Sequence, residues 1–178
     1  MPLTLIKEDG TGRADANSYA SAADCDAYHS GHLYATSWTG ATADNKAAAL
    51  VMASRVIDAE FQFNGAKASA AQALQWPRSD CRDPDAVATS SSSGVVASNV
   101  VPKAVLDATC ELARELLTLD RTAAPPGEGI ASDWTSTAGK KYSKTDVRPI
   151  LPRLVVSLLA KYGTSIRRGS SVVKLVRA

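Results

Sequence analysis

Apolar residues recur at helical spacing in three long stretches of the chain, and each stretch opens on a recognisable start signal. Leu50, Ala53, Ile57 and Phe61 fall on one face of a segment that Thr42 can cap, while Lys46, Arg55 and Asp58 fall on the wet face, which predicts a helix to about residue 60. Pro102 pre-sets the first turn of a second long helix, over 102–119, with Val105, Leu112, Leu116 and Leu119 on one side. Pro152 opens a third, whose Leu154, Val155, Leu158, Leu159 and Tyr162 form an apolar stripe that ends at Gly163. Nearer the start, Ser21-Ala22-Ala23-Asp24 has the form of a capping box with Asp in place of Glu, so a helix is expected over 22–32 with Cys25 and Tyr28 inward. A short helix over 69–74 would be stopped by Trp76-Pro77, because the residue before proline disfavours helical backbone.

The segments between these helices are polar. Asp9-Gly10-Thr11-Gly12 through Asn17 is turn chemistry, and Asn64-Gly65 turns the chain again. Residues 79–99, with Ser90-Ser91-Ser92-Ser93-Gly94, are too polar to bury and too long for an ordinary connection, so they should project. A Pro/Gly linker over 122–129 precedes a hairpin over 130–145, turning about Ala138-Gly139. Beyond Gly163 the chain reads as an extended, Val-rich basic tail. The expected fold is mainly α, a small bundle of about four helices with a small β-hairpin. Residues 1–163 would form the body and 164–178 an extended C-terminal arm.

Composition shifts that picture toward assembly. Of 178 residues 31 are Ala and only 36 are Val, Leu, Ile or Phe, so the core is lean and suits thin, closely packed helices completed by a neighbouring subunit. No apolar run approaches the roughly 18 to 20 residues of a membrane span, and the start lacks a signal-type stretch, so an intracellular protein with no membrane partner is expected. Cys25, Cys81 and Cys110 form an odd set without a C-x-x-C pair, which predicts buried, reduced thiols rather than a disulfide framework or a zinc ribbon.

The net charge of +2 conceals a polarity. Residues 139–178 carry ten basic side chains and one acidic, a surplus of +9, while residues 1–138 carry ten basic and 17 acidic. Like charge gathered at one end repels itself unless an anionic surface faces it, so the tail calls for phosphate or an acidic protein. Asp107, Glu111 and Glu115 stand at i, i+4, i+8 on the 102–119 helix, an arrangement that costs helix stability unless cations face it.

Catalytic and cofactor signatures are missing. Asp9-Gly10-Thr11-Gly12 lacks the third glycine of a dinucleotide loop and the Gly-Lys-Ser/Thr of a P-loop, so it reads as a plain turn. Cys25, His29 and His32 could share a helical face as soft metal ligands, but no fourth ligand is evident, and no metal or other cofactor is expected. There is no Gly-x-Ser-x-Gly elbow, and Ser171-x-x-Lys174 matches a penicillin-binding pattern in letters alone. A non-enzymatic protein is expected. Trp38, Trp76 and Trp134 are candidates for stacking on bases, and the basic end could follow a phosphate backbone, although Trp76 sits in a helix-stop setting that normally belongs to a core and no nucleic-acid-binding module can be read.

Several short motifs in order carry a resemblance: Asp9-Gly10-Thr11-Gly12, Ala16-Asn17-Ser18-Tyr19-Ala20-Ser21, Ala23-Asp24, Tyr28, Trp38, the helix over 46–58, Gly65-x-Lys67, Gln72-x-Leu74-x-Trp76-Pro77-Arg78, and Pro102 before Glu111-Leu112-Ala113. Over about residues 6–119 the chain resembles the head-tail connector (adaptor, head-completion) proteins of tailed bacteriophages, some of which are labelled DnaT-like single-stranded-DNA-binding proteins. The resemblance implies a helical virion subunit, commonly twelve to a ring, between the portal and the next neck or tail protein, with genomic double-stranded DNA passing through the lumen. The Ser-rich insert and the basic end depart from the family pattern, so their roles are argued from physics. The tail is expected to dock on the portal through Ile166, Arg167, Arg168, Val173, Lys174, Leu175 and Arg177. Asp107, Glu111 and Glu115 are expected to face the lumen or a subunit interface. Trp76, Pro77 and Arg78 form a corner that sets the fold or meets a neighbouring subunit, Arg78 being the better interface candidate. Direct binding of single-stranded DNA is the alternative function.

Overall fold

The computed structural model describes residues 3–87, 94–124 and 148–166 in full, and the backbone of 132–134 and 139–141. It contains five helices, α1 (Ala22–His29), α2 (Thr36–Thr39), α3 (Ala43–Glu60), α4 (Lys103–Leu116) and α5 (Arg153–Leu159). Six short strands, β1 (Phe61–Phe63), β2 (Ala66–Lys67), β3 (Arg78–Ser79), β4 (Ser132–Trp134), β5 (Gly139–Lys141) and β6 (Gly163–Ser165), pair into three two-stranded antiparallel sheets. The architecture is mainly helical with small β elements.

The helix starts follow local chemistry. Asp24 N–H donates to Ser21 Oγ, and Ser21 N–H donates back to Asp24 Oδ2 at 2.7 Å, so both ends of the capping box close. Thr42 caps α3 by accepting from Asn45 N–H. Pro102 and Pro152 stand as the N-cap residues of α4 and α5, just outside the helices they were expected to begin.

Helix α4 is the hub, packed against α1, α2, α3 and α5. Val105, Ala108, Thr109, Cys110, Leu112 and Ala113 are buried along it, and Leu50, Ala53 and Ile57 of α3 meet the same core. Three details depart from the periodicity. Leu154 lies half in solvent, because Val155 and Leu159 point to the core with Val156 and Leu158 packed at its edge. Residues 69–74 form turns rather than a helix: Gln72 donates from Nε2 to the carbonyls of Leu74 and Pro77, tying the loop to itself and to the cis Trp76–Pro77 corner. The single-turn α2 lies between α1 and α3, where the apolar pattern predicts no element.

The body also extends further along the chain than expected. Strand β6 pairs with β1 in the register Phe61↔Ser165 and Phe63↔Gly163, so residues 164 and 165 belong to the body rather than to an arm. A Cβ at Gly163 would lie 2.2 Å from the Gln62 carbonyl oxygen, which only glycine avoids. The expected hairpin is present as β4 and β5, paired Ser132↔Lys141. The base of the Ser-rich segment is anchored by an Arg82–Val95 bridge, with Cys81 and Val96 buried, while 88–93 lies outside the described residues.

Candidate nucleic-acid interface

The glycine loop at the start is the first place where a phosphate could sit, since consecutive N–H groups converge there. Its occupant is Glu8. This carboxylate is buried, and Oε1 accepts from the N–H groups of Gly10 and Gly12 while Oε2 accepts from that of Arg13, each at 2.9 Å. Gly10 has a φ of 98°, and a Cβ there would lie 2.1 Å from the Asn99 carbonyl oxygen. The loop is an anion nest filled by its own side chain, so it offers nothing to an external phosphate.

Two of the three tryptophans are core residues. Trp38 is fully buried, donates from Nε1 to Asp26 Oδ1 at 2.8 Å, and carries Lys46 Nζ 5.1 Å from a ring centroid. Lys46 in turn sits 2.8 Å from Asp26, and this hydrogen bond, then the one from Trp38, holds the Asp26 carboxyl below the usual carboxylate range. Trp76 is likewise fully buried, 5.7 Å edge-on from Phe63 and 5.8 Å from Tyr162. Neither ring can stack on a base without unfolding the body. The side chain of Trp134 lies outside the described residues.

The Trp76-Pro77-Arg78 corner is satisfied within the chain. Arg78 is buried and donates from Nε to the Asn64 carbonyl at 2.7 Å, from Nη1 to the Gln75 carbonyl and Oε1 at 3.0 Å, and from Nη2 to the Gly65 carbonyl at 2.6 Å. Of the two expected roles for the corner, the intrachain one is the one seen: the guanidinium fork welds the Gln75 turn to the Asn64-Gly65 turn before it. Beside it, Asp58 accepts from Tyr19 Oη and from the Gln75 N–H. Burial pushes the Asp58 carboxyl up to about 6, and burial together with that carboxylate pushes the Tyr19 hydroxyl well above its ordinary value.

The acidic row on α4 is not a line of wet carboxylates. Asp107 is paired with Lys103 at 2.6 Å, as helix neighbours should be. Glu111 is buried and accepts from Arg114, with His32 Nε2 3.4 Å away, which overturns the expectation that it faces a lumen. Glu115 bridges Arg114 and Arg121. Cations of the same chain therefore face the row.

His29 is also buried. Its Nε2 lies 3.2 Å from the Cys110 carbonyl, Nδ1 has no partner among the described residues, and burial lowers its proton affinity. Cys25 is joined to Cys110 in a disulfide between α1 and α4, while Cys81 is a buried free thiol. The expectation of three reduced thiols is thus corrected: residues 85 apart in sequence become neighbours once α1 packs on α4, which spacing alone does not reveal. Among the described residues no group of three or more His, Cys, Asp or Glu side chains is placed to hold a metal, and no helix is long and apolar enough to cross a membrane.

The densest run of cations in the sequence is the C-terminal end. Within it Lys140 and Lys141 lie on β5, Arg153 is exposed at the start of α5, Lys161 is paired with Asp85, and Arg148 donates to the carbonyls of Asp120 and Ala123. Ile166 is 55% exposed, and its N–H donates to the Glu60 carbonyl at 2.9 Å. The remaining residues expected in the arm, Arg167, Arg168, Val173, Lys174, Leu175 and Arg177, lie outside the described residues. One aromatic escaped the sequence reading: Tyr34, 77% exposed beside the 90% exposed Leu33, in the loop after α1. Two large side chains between Gly31-His32 and a short helix were its only signal.

No curated protein and no solved structure matches the chain. The family model described as "Putative DnaT-like ssDNA binding protein" matches residues 3–178. Since the match runs from the first described residue to the last of the chain, this protein belongs to that DnaT-like family.

Proposed function

We propose that this chain is a non-catalytic single-stranded-DNA-binding protein whose contact with DNA is made by the basic C-terminal end. The observation that carries the reading is the surplus of +9 over residues 139–178, and membership of the DnaT-like family supports it. Single-stranded DNA offers a phosphate at every nucleotide, and Lys140, Lys141, Arg153, Arg167, Arg168, Lys174 and Arg177 supply cations to track it, with release of condensed counterions as the driving force. Tyr34 is the aromatic among the exposed large side chains described, and a base stacked on it would add about 1 to 3 kcal/mol. Fluorescence anisotropy with a labelled oligo-dT of about 30 nucleotides, room for more than one binding site of the usual size, tests the reading. Binding that weakens steeply with salt supports it, and no binding at low salt overturns it.

A second reading is favoured by a different observation. Six of the ten cations in residues 1–138 lie beside carboxylates, two tryptophans are buried, and the Leu33–Tyr34 pair is left uncovered, as in a subunit built to meet proteins. Together with the motif order described above, this supports a head-tail connector subunit of a tailed bacteriophage. It would form a ring, commonly of twelve copies, under the portal and above a neck or tail protein, in the virion. In that setting the basic end meets acidic side chains of the portal. Assembly on isolated portal rings, followed by mass measurement, separates the two: a connector forms a ring there and retains oligonucleotide weakly.

A further inference from the structure

The outer face of α3 forms one side of an open groove of about 710 Å3, lined chiefly by Leu3, Val51, Met52, Val56, Ala59 and Ile150. Ala48, Arg55, Glu60 and Thr122 also line it. Within it Leu3 and Ala59 are exposed, Met52 and Ile150 half-buried, and Val51 and Val56 buried. The described chain stops beside this groove: Ile166 N–H donates to the carbonyl of Glu60, itself a lining residue. Twelve residues follow, and they divide in two. Arg167-Arg168-Gly169-Ser170-Ser171 is polar and glycine-containing, whereas Val172-Val173-Lys174-Leu175-Val176 holds four large aliphatic side chains and one cation.

We propose that the chain's own segment 172–176 lies in the α3 groove, with 167–171 as its tether. Reach permits it. Five extended residues span at most roughly 17 Å, and the twelve-residue rise from Glu60 back to Ala48 along α3 is roughly 18 Å, so nearly the whole groove lies within range of the tether. Tethering also raises the local concentration of the segment to roughly the millimolar range, so a modest apolar contact suffices to hold it. In an extended segment Val173 and Leu175 fall on one side and Lys174 on the other, which places two aliphatic side chains in the groove and keeps the cation in water. Arg167 and Arg168 then emerge at the groove mouth next to Glu60. The proposal goes beyond the DNA reading and stands without it, since it concerns the aliphatic residues of the end rather than its cations.

Cross-linking of the full chain tests this. In a Met52→Cys/Val173→Cys variant, mild copper-catalysed oxidation should give a disulfide within one chain, at the monomer mass and at unchanged yield on dilution. Its yield should be about tenfold above that of a Gly31→Cys/Val173→Cys control, whose first position lies outside the groove. An Ala59→Cys/Val173→Cys pair repeats the measurement at an exposed position where folding is not at stake. A link formed only at dimer mass would assign the groove to a second copy and overturn the proposal. A yield no higher than the control with both pairs would also overturn it.

Discussion

Lys7 sits 2.7 Å from Asp24, Arg13 2.8 Å from Asp15 and Lys46 2.8 Å from Asp26, while ten cations in the last forty residues share their segment with one carboxylate. The body treats charge as mortar. Six of the ten cations in residues 1–138 lie beside carboxylates, the glycine nest holds Glu8, and the guanidinium of Arg78 is spent largely on backbone carbonyls. Of the basic end, Arg148 and Lys161 are seen to engage the body. On the proposed DNA-binding reading, the contact is assigned to the end because carboxylates are scarce there along the sequence, rather than because the chain as a whole is basic.

The contrast can be broken most forcefully at Trp38. Truncating this fully buried ring to alanine should cost about 3 to 5 kcal/mol in denaturant unfolding. The folded fraction should bind DNA as before, and a selective loss of DNA affinity at unchanged stability would make the tryptophan a stacking platform after all. Removing the Glu8 carboxylate with Glu8→Ala should cost about 2 kcal/mol, because three backbone N–H groups lose their acceptor at once. The emptied nest gives this variant a second use: thermal stabilisation by millimolar sulfate in Glu8→Ala, absent from the parent, would show that the side chain stands in for an anion. Arg78→Lys should cost about 1.5 kcal/mol, since an ammonium cannot reproduce the fork onto Asn64, Gly65 and Gln75, and DNA affinity should not change.

The smallest effect is a pH dependence inside the body. The folded Asp58 carboxyl titrates near 6 against an unfolded value of 3.8, so the folded state holds its proton more tightly. Stability from this group is fully present below the unfolded value and is lost as pH rises through 6. Between pH 5 and pH 7 it should fall by about 1 kcal/mol, and Asp58→Asn should flatten that slope. Urea titrations at the two pH values read it directly.

Local signals in the sequence carried the helices well. The Ser21 and Thr42 caps and the prolines before α4 and α5 each act within one turn, and each marked the start of its helix to within a residue or so, whereas the expected ends of α1, α4 and α5 overran the observed ones by about a turn. What escaped depended on contacts between distant segments. The β1–β6 pairing joins residues a hundred positions apart, the Cys25–Cys110 bridge requires α1 to lie on α4, and Glu111 turns inward because Arg114 and His32 meet it there. At the candidate interface the charge polarity was legible from counting alone. The setting of Trp76 before a proline already pointed to a core, but the removal of Trp38 from the interface was not legible, because a residue's exposure is decided by the tertiary fold and a tryptophan carries the same letter in a core as on a surface.

The assignment of DNA contact to the basic end is tested most directly by the salt dependence of oligo-dT binding, measured for the parent and for a chain carrying Arg167→Ala, Arg168→Ala, Lys174→Ala and Arg177→Ala together. Each lost phosphate contact removes roughly 0.7 from the slope of log K against log salt on a single strand, so the slope should shrink by about 2 to 3 with a large loss of affinity at low salt. An unchanged slope and affinity would contradict the account and return the search for the DNA surface to the body.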